Sequence, residues 1–468
     1  MARSLVEGEA RGGIQAGLTA APADVLSLFL RLLPSEFFDR LRQEEKLRES
    51  NRVYNAAVVM WLMIAQRLQR NGTLETGVLE LVRGLPASFW PRPCKRLQAG
   101  PEGQRPNLSS NTGSYNGARQ TLPVSVVEES FDHVFERLSG EATEFGARAG
   151  GQAYCLDGTG IRMNPTEALR EAYPPGSNQH GETHWPVLRM LVAHDLYSGL
   201  AMRPQWGPMY GSQAVSEQGL LEQAIDRLPR GSAVVGDANF GVFSVAYAAD
   251  QRHHPVVLRL TPVRARHLAG GDLRDGMEQR MQWRPTREDR RSHPELPPEA
   301  SVSGRLMVRQ VQPSNGNEPF LPALFTTMEG EAEESFQLYG QRWNIETDLR
   351  SLKGTLQLEQ LTCTSPEMVA KEIDVALLAY NLVRAVTYVA AQTAGLPPRS
   401  FGFTRVRNVI HAFAPLIAAA QDEHEARKLW DKMMYYVGQA KLPKRTRKRP
   451  LYPRAVWAKP QTFPKRKE

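Results

Sequence analysis

Cysteine is scarce: Cys94, Cys155 and Cys363 are the only three in 468 residues, far apart and without a C-x2-C spacing. Such usage encodes neither a disulfide framework nor a zinc site, and predicts thiols that pack in a reducing compartment. His180, His184 and His194 likewise lack metal-ligand spacing and read as structural. Long apolar runs are missing too. The longest, Ala56–Ala65, is half of the roughly 20 residues a membrane span needs, and the apolar stretch Ala376–Ala390 is interrupted by Asn381 and Arg384. The opening MARSLVEGEARGG carries acids and no apolar signal core. The expectation is a cytoplasmic protein with no membrane partner.

Hydrophobic residues make up 41% of the chain, which is ordinary for a globular protein. The length predicts about two to four domains rather than one small core. Charge is unevenly placed. From Lys441 to Glu468 eleven Lys or Arg stand against one Glu, a local +10, so residues 1–440 sum to −2 against an overall +8. A near-neutral body with a basic tail points to a polyanionic partner; a solubilising tail is the alternative.

Residues 1–24 read as a loose arm. Val25–Glu45, Asn51–Arg70 and Thr73–Leu85 carry helical apolar spacing, a Pro/Gly/Asn/Ser-rich linker spans 84–112, and Ala118–Leu138 resumes as helix. Residues 1–150 are thus an all-helical unit, made positive by Arg67, Arg70, Arg92, Lys95, Arg96 and Arg119. From Gln152 the period changes. AYCLDGTGIRM and WPVLRMLVAHDLYSGLAM read as strands; then helix Ser216–Leu228, strand Ala233–Asp237, helix Phe243–Gln251 and strand Pro255–Leu260 alternate. That order predicts an α/β core with a mixed sheet over 151–261. Residues 262–318 are charged and Pro/Gly-containing, with a strand at Arg305–Val311, and read as a β-rich insertion. The core resumes over 319–362, followed by helices over 363–440 and the basic tail over 441–468.

The stretch Glu331–Gln360, EAEESFQLYGQRWNIETDLRSLKGTLQLEQ, reads as one long helix, with acids in its first turn and no proline. At about 100° per residue, Tyr339, Arg342, Glu346 and Lys353 fall within about 60° of one another, beside the apolar stripe Leu338, Ile345, Leu349, Leu352 and Leu356. One carboxylate therefore stands among two cations and a phenol at the rim of a core. Taken alone, such a helix favours the plainer reading, a solvated, salt-bridged face. Asp157 and Asp237 each end an apolar strand. A sheet end holds a ligand rigidly, although a single Asp there is more often a turn or cap residue. With Glu346 they make an acidic triad whose hard oxygens suit Mg²⁺ or Mn²⁺.

The pattern Tyr339-x2-Arg342-x3-Glu346-x6-Lys353, with Trp343 after the Arg and a further cation at Arg350, resembles the Y-x2-R-x3-E-x6-K signature of the DDE transposases in the IS-four family of bacterial insertion sequences. Ser216-Glu217 heading the helix before the second Asp, Tyr380-Asn381 after the Glu, and Ala118–Pro123 before the first Asp are also similar to that family. The likeness covers roughly 110–455 and departs at Ala238, where many relatives have Arg.

The resemblance implies an RNase H-like core with a β-rich insertion, flanked by a helical end-binding domain and C-terminal helices. It implies catalytic, metal-holding Asp157, Asp237 and Glu346, and Mg²⁺ with Mn²⁺ able to substitute. Its partners would be double-stranded DNA, as transposon ends and target, and a second protomer in the DNA complex. Two such ions activate water and stabilise the leaving oxygen in phosphodiester cleavage; the freed 3′-hydroxyl then attacks target DNA. Arg342 and Lys353 would grip phosphates with Tyr339 and Arg350 beside them. Trp343 either stacks on a base or packs in the core, and Trp283 is a further base platform. Arg259, Arg284 and Arg287 are DNA contacts or surface charges. The rivals are a cutting-deficient, domesticated DNA binder and a two-carboxylate hydrolase acting on an uncharged substrate.

Overall fold

The structure is a computed structural model that describes residues 24–47, 52–69, 71–90, 94, 97, 108–146, 152–179, 181–312 and 318–442. The N-terminal arm, much of the 84–112 linker, Arg70, Arg92, Lys95, Arg96, His180 and nearly all of the basic tail lie outside the described residues.

Strands β1 (Ala153–Met163), β2 (Pro175–Asn178), β3 (Gly181–Asp195), β4 (Gln205–Pro208), β5 (Ala233–Gly236), β6 (Val256–Leu260), β7 (Glu278–Trp283), β8 (Val302–Val308), β9 (Ala323–Thr326) and β10 (Gln360–Leu361) form one mixed sheet. Its order is β2–β3–β1–β5–β6–β9–β8–β7, with β4 beside β3 and β10 beside β1. β1, β5 and β6 are mutually parallel neighbours; β3 and β9 run antiparallel to β1 and β6. The composition explains the centre. β5 is four small or β-branched residues, Ala-Val-Val-Gly, buried along its whole length, as a parallel strand covered on both faces must be.

The charged 262–318 segment is not a separate layer. It forms α10 (Pro262–Ala269), β7, α11 (Arg287–Ser292) and β8, and its two strands lengthen the same sheet by pairing β8 to β9. Upstream lie α7 (Glu167–Ala172), α8 (Glu217–Ile225) and α9 (Phe243–Asp250). The expected strand Arg305–Val311 begins earlier, at Val302, because Val302, Leu306 and Val308 fill the core beside Phe325.

The N-terminal helices are α1 (Val25–Leu32), α2 (Ser35–Glu44), α3 (Ala56–Leu68), α4 (Leu74–Arg83), α5 (Gly113–Thr121) and α6 (Val124–Gly146). The breaks fall where the chain dictates them: Pro34 and Pro123 cannot donate within a helix, and Asp24, Asn55 and Thr73 cap the starts of α1, α3 and α4 with side-chain oxygens. These helices share one continuous core with the rest of the chain. Their pillar is α14 (Pro366–Ala394), a 29-residue helix long and apolar enough to cross a membrane, yet wholly buried in protein along its most apolar window. Arg67 of α3 and Arg119 of α5 both pair with Glu372 of α14. Lys371 Nζ donates to the carbonyls of Arg119 (3.0 Å) and Gln120 (2.9 Å), and Arg407 of α15 (Phe403–Ala418) donates to the Leu68 carbonyl at 3.0 Å. The last described helix is α16 (Glu423–Gln439).

The expected single helix over 331–360 is corrected to two helices and a wide turn: α12 (Ala332–Gly340), α13 (Trp343–Arg350) and a π turn at Ser351–Thr355. At the junction Arg342 N–H donates to Tyr339 O (2.9 Å) and Ile345 N–H to Arg342 O (3.0 Å), three-residue steps that tighten the coil. Gly340, a weak helix former, lies at that break.

On α14, Asp374 is fully buried and neither carboxyl oxygen has a hydrogen-bond partner. Burial pushes it up to about 8, against the pull of Arg203. A carboxyl raised in the folded state binds its proton more tightly there than in the unfolded chain. Stability contributed by this group therefore falls as pH rises from about 4 to 8. Asp374→Asn is expected to be near neutral at pH 4 and to stabilise by several kcal/mol at pH 8. Thermal unfolding at the two pH values checks this; equal effects at both would refute it.

Candidate active site

Parallel pairing of β1 with β5 puts Cys155 opposite Val235. Two residues further along each strand, on the same face, come Asp157 and Asp237. The Asp157 carboxylate accepts from Gly158 N–H at 2.9 Å, and Asp237 Oδ1 accepts from Asn239 N–H at 2.9 Å. Burial pushes Asp157 up to about 6, and the neighbouring Asp237 and Glu217 add to the rise, while the Gly158 N–H and Arg342 oppose it. Asp157 does not end its strand as expected: it lies in the middle of β1, which runs on to Met163 and pairs with β3 throughout, whereas Asp237 directly follows the last residue of β5. Two half-buried carboxylates thus come together where the shorter strand stops beside the longer one. The turn that carries Asp237 lies hard against β6: a Cβ on Gly241 would sit 2.0 Å from the Arg259 carbonyl oxygen, so only glycine fits.

The helical side of the site comes from α12 and α13. Arg342 Nη2 donates to Glu346 Oε1 at 3.0 Å, and its charge also reaches Asp157 and Cys155. Lys353, in the π turn, donates from Nζ to Thr159 Oγ1 of β1 at 3.2 Å. Tyr339 is half-buried, hydrogen-bonds Arg259 of β6 and lies in the fields of Arg342 and Asp237; burial raises its hydroxyl. Arg259 also stands 6.0 Å from the Phe320 ring centroid. Asp157, Asp237, Tyr339, Arg342, Lys353 and Arg259 therefore share one neighbourhood, and Glu346 joins it through Arg342. The two irregular turns do not scatter the signature, because the tight step before α13 and the wide step after it are compensated by contacts to β1.

Among the described residues, no three His, Cys, Asp or Glu side chains converge closely enough to hold an ion. Glu346 is turned to Arg342. The donor set nevertheless fits a hard divalent cation in kind: Asp157 and Asp237 are hard-oxygen ligands whose mutual repulsion such an ion would relieve.

Trp343 is 59% exposed beside this site, which removes core packing as its role, and Arg350 is exposed one helix turn beyond Glu346. Trp283 is corrected. It is 2% exposed and packs edge-on against Phe325 (4.8 Å) and Phe243, so no base can stack on it. Its position at the end of β7 places it inward under the sheet, which polar neighbours in QWRPTREDRR concealed. Arg284 and Arg287 stay on the surface of the 262–318 segment.

Glu217 was not singled out from sequence as a site residue. It accepts from Asn239 Nδ2 at 2.7 Å and lies against Gly158, while Gln218 Nε2 donates to the Asn239 carbonyl at 2.7 Å. Asn239 in turn holds Asp237. The signals in the chain were the Ser216-Glu217 pair at the head of the helix and the Ser216 cap, whose Oγ accepts from Gly219 N–H at 2.9 Å; the contact across the sheet needs the fold.

A family model described as the transposase DDE domain matches residues 148–382, half of the chain and all of the site. Over 361 residues the chain is 26% identical to the transposase InsG for insertion sequence element IS4 of Escherichia coli (strain K12), covering 74% of this chain and 76% of that protein. The cryo-EM structure of a piggyBac transposase synaptic complex with hairpin DNA overlays with a TM-score of 0.41 at 11% identity, over 90% of this chain and 86% of that one. With the family's domain spanning both aspartates and the Tyr339–Lys353 signature, the chain belongs to the DDE transposases.

Proposed function

We propose that this transposase moves an insertion sequence by cut-and-paste, with Asp157, Asp237 and Glu346 as its catalytic carboxylates. The observation that carries the reading is the proximity of Asp157, in the middle of β1, to Asp237, just past the end of the parallel neighbour β5, with Arg342 linking them to Glu346. The family uses divalent metal ions; Mg²⁺, or Mn²⁺ in its place, would supply an activated water nucleophile and charge stabilisation at the leaving oxygen.

The chain's own residues do the rest. Asp157 and Asp237 present hard oxygens from a rigid sheet. Arg342 now neutralises Glu346; a phosphate of the DNA end would compete for that guanidinium and free the carboxylate to face the two aspartates. Arg342 grips such a phosphate as a fork and Lys353, anchored on Thr159, as a point charge. Tyr339 and Arg259 line the same wall. Exposed Trp343 offers its ring to an unpaired base, and Arg350 a further cation. The strand path β4–β3–β1–β5–β6, antiparallel then parallel, supports an RNase H-like core over 151–261 and 319–362. In this reading residues 1–150 bind the element's end, 441–468 add electrostatic affinity for DNA, two protomers act on two ends, and the protein works in the cytoplasm at the nucleoid.

The test is incubation of the purified chain with duplex carrying the element's terminal sequence, with and without Mg²⁺, and mapping of nicks at nucleotide resolution. Mg²⁺-dependent nicking at the element boundary is expected. Binding without nicking would identify a domesticated, non-cutting copy.

A further inference from the structure

Helix α13 is only eight residues long, with a tightened step before it and a π turn after it. So short a helix has little intrinsic stability, and its rotation about its own axis must be set by what it packs on. Its apolar contacts, Ile345 and Leu349, are buried but allow sliding. Its one directional anchor is Asp348. Two residues from Glu346, Asp348 points about 200° away around the helix, inward where Glu346 points to the site.

Asp348 is fully buried and pairs with two arginines. Arg384 of α14 donates to Oδ1 at 2.5 Å and also donates to the Tyr380 hydroxyl at 2.9 Å. Arg399 donates to Oδ2, to the Leu196 carbonyl at 3.1 Å and to the Asp195 carbonyl at 2.7 Å. Those carbonyls belong to the end of β3 and its turn, where Leu196 N–H donates to Ala153 O of β1 at 2.8 Å and Asp195 faces Tyr154. On the same turn Gly199, at positive φ, brings its backbone to the two guanidinium groups; a Cβ there would lie 3.0 Å from Arg384 Nε. Asn381, next to Tyr380, ties the segment further by exchanging hydrogen bonds with both backbone groups of Ala201 at 2.8 Å.

We propose that Asp348 is a positioning residue: through Arg399 and Arg384 it indexes the Glu346 helix to the strand that carries Asp157. The inference rests on the reading of Glu346 as a metal-binding carboxylate and adds what aims it. Directionality is the reason a charged group occupies this buried place; an apolar residue would fill the volume but leave the helix free to rotate, and Glu346 would lose its aim.

The experiment uses the full-length protein and four variants: Glu346→Gln, Asp348→Asn, Asp348→Glu and Arg399→Lys. Thermal unfolding selects a temperature at which each is folded. Mn²⁺ binding is then read by the loss of the free-ion EPR signal, and binding of end DNA is measured without divalent ions. Cleavage follows in Mg²⁺. Folded Asp348→Asn is expected to bind Mn²⁺ about tenfold or more weaker, with cleavage lowered in parallel and DNA binding within about twofold of wild type. Arg399→Lys, which keeps the charge but loses the fork to the two carbonyls, should move the same readouts in the same direction, and Asp348→Glu should restore part of the loss.

If Asp348→Asn does not fold, Arg399→Lys decides. A lowered melting temperature with wild-type Mn²⁺ affinity and wild-type cleavage per folded molecule would overturn the proposal, since a merely structural ion pair predicts that result. Should Glu346→Gln lose Mn²⁺ binding and cleavage while every folded Asp348 and Arg399 variant keeps both, this inference alone falls. Should Glu346→Gln keep both, the reading beneath it falls and takes this inference with it.

Discussion

Asp157→Asn, Asp237→Asn and Glu346→Gln are each expected to lower strand cleavage at least about a thousandfold while end-DNA binding survives. The substitutions keep size and polarity, so the fold is preserved and only the negative oxygens are lost. Asp157→Asn carries a second, opposite signature. Its carboxyl is raised to about 6 by burial, with Asp237 and Glu217 contributing, so in the metal-free protein the folded state holds this proton more tightly than the unfolded chain does. The stability it contributes declines as pH climbs from about 4 through 6. Metal-free Asp157→Asn should therefore melt higher than wild type at pH 8 and equally at pH 4, a gain of stability at the cost of activity. Gel assays of cleavage and binding, with melting curves in EDTA, check both parts. Wild-type cutting by any one of the three would remove that residue from the triad.

Arg342→Ala is the second large effect. As a partly buried partner in a single ion pair with Glu346, Arg342 contributes about 1 kcal/mol to stability, so the melting temperature should move little. Cleavage should fall by about a hundredfold, because the fork that meets phosphate is gone. Arg342→Lys should recover only part, a point charge being a poor substitute for two parallel donors; Lys353→Arg, at a site of single contact with Thr159, should be milder. There is also a pH signature. Arg342 lowers the Asp157 carboxyl, so its removal moves deprotonation of Asp157 upward and shifts the acid limb of the rate profile to higher pH. Single-turnover cleavage across pH for the three variants measures this. Normal rates from a folded Arg342→Ala protein would leave the Arg342–Glu346 pair as surface ornament.

Much of this was legible in the chain. Local rules were enough wherever a pattern is decided by neighbours in sequence: strands β1, β5 and β6 by their apolar runs, α8 by its helical apolar spacing from Ser216, and the Tyr339–Lys353 spacing by the identities alone. Asp237 could be placed at a strand end because the apolar run and the turn after it are local; Asp157 could not, since β1 continues past Gly158 to Met163 on its pairing with β3, which is a long-range contact. What the sequence determined, then, was which residues carry chemistry and on which elements they ride.

The tertiary structure decided how they meet. Trp283 is polar-flanked in sequence but lies between Phe243 and Phe325, since inward or outward at a strand end depends on which sheet the strand joins. The segment 331–360 is broken into two helices and a π turn, with Tyr339 of the first meeting Arg259 and Asp237 and Lys353 of the turn meeting Thr159, contacts made to strands far away in the chain. Glu217 reaches Asn239, and Asp348 reaches Arg399, across 22 and 51 positions of chain. Such pairings are specified by strand order and helix packing, and no window of sequence contains them.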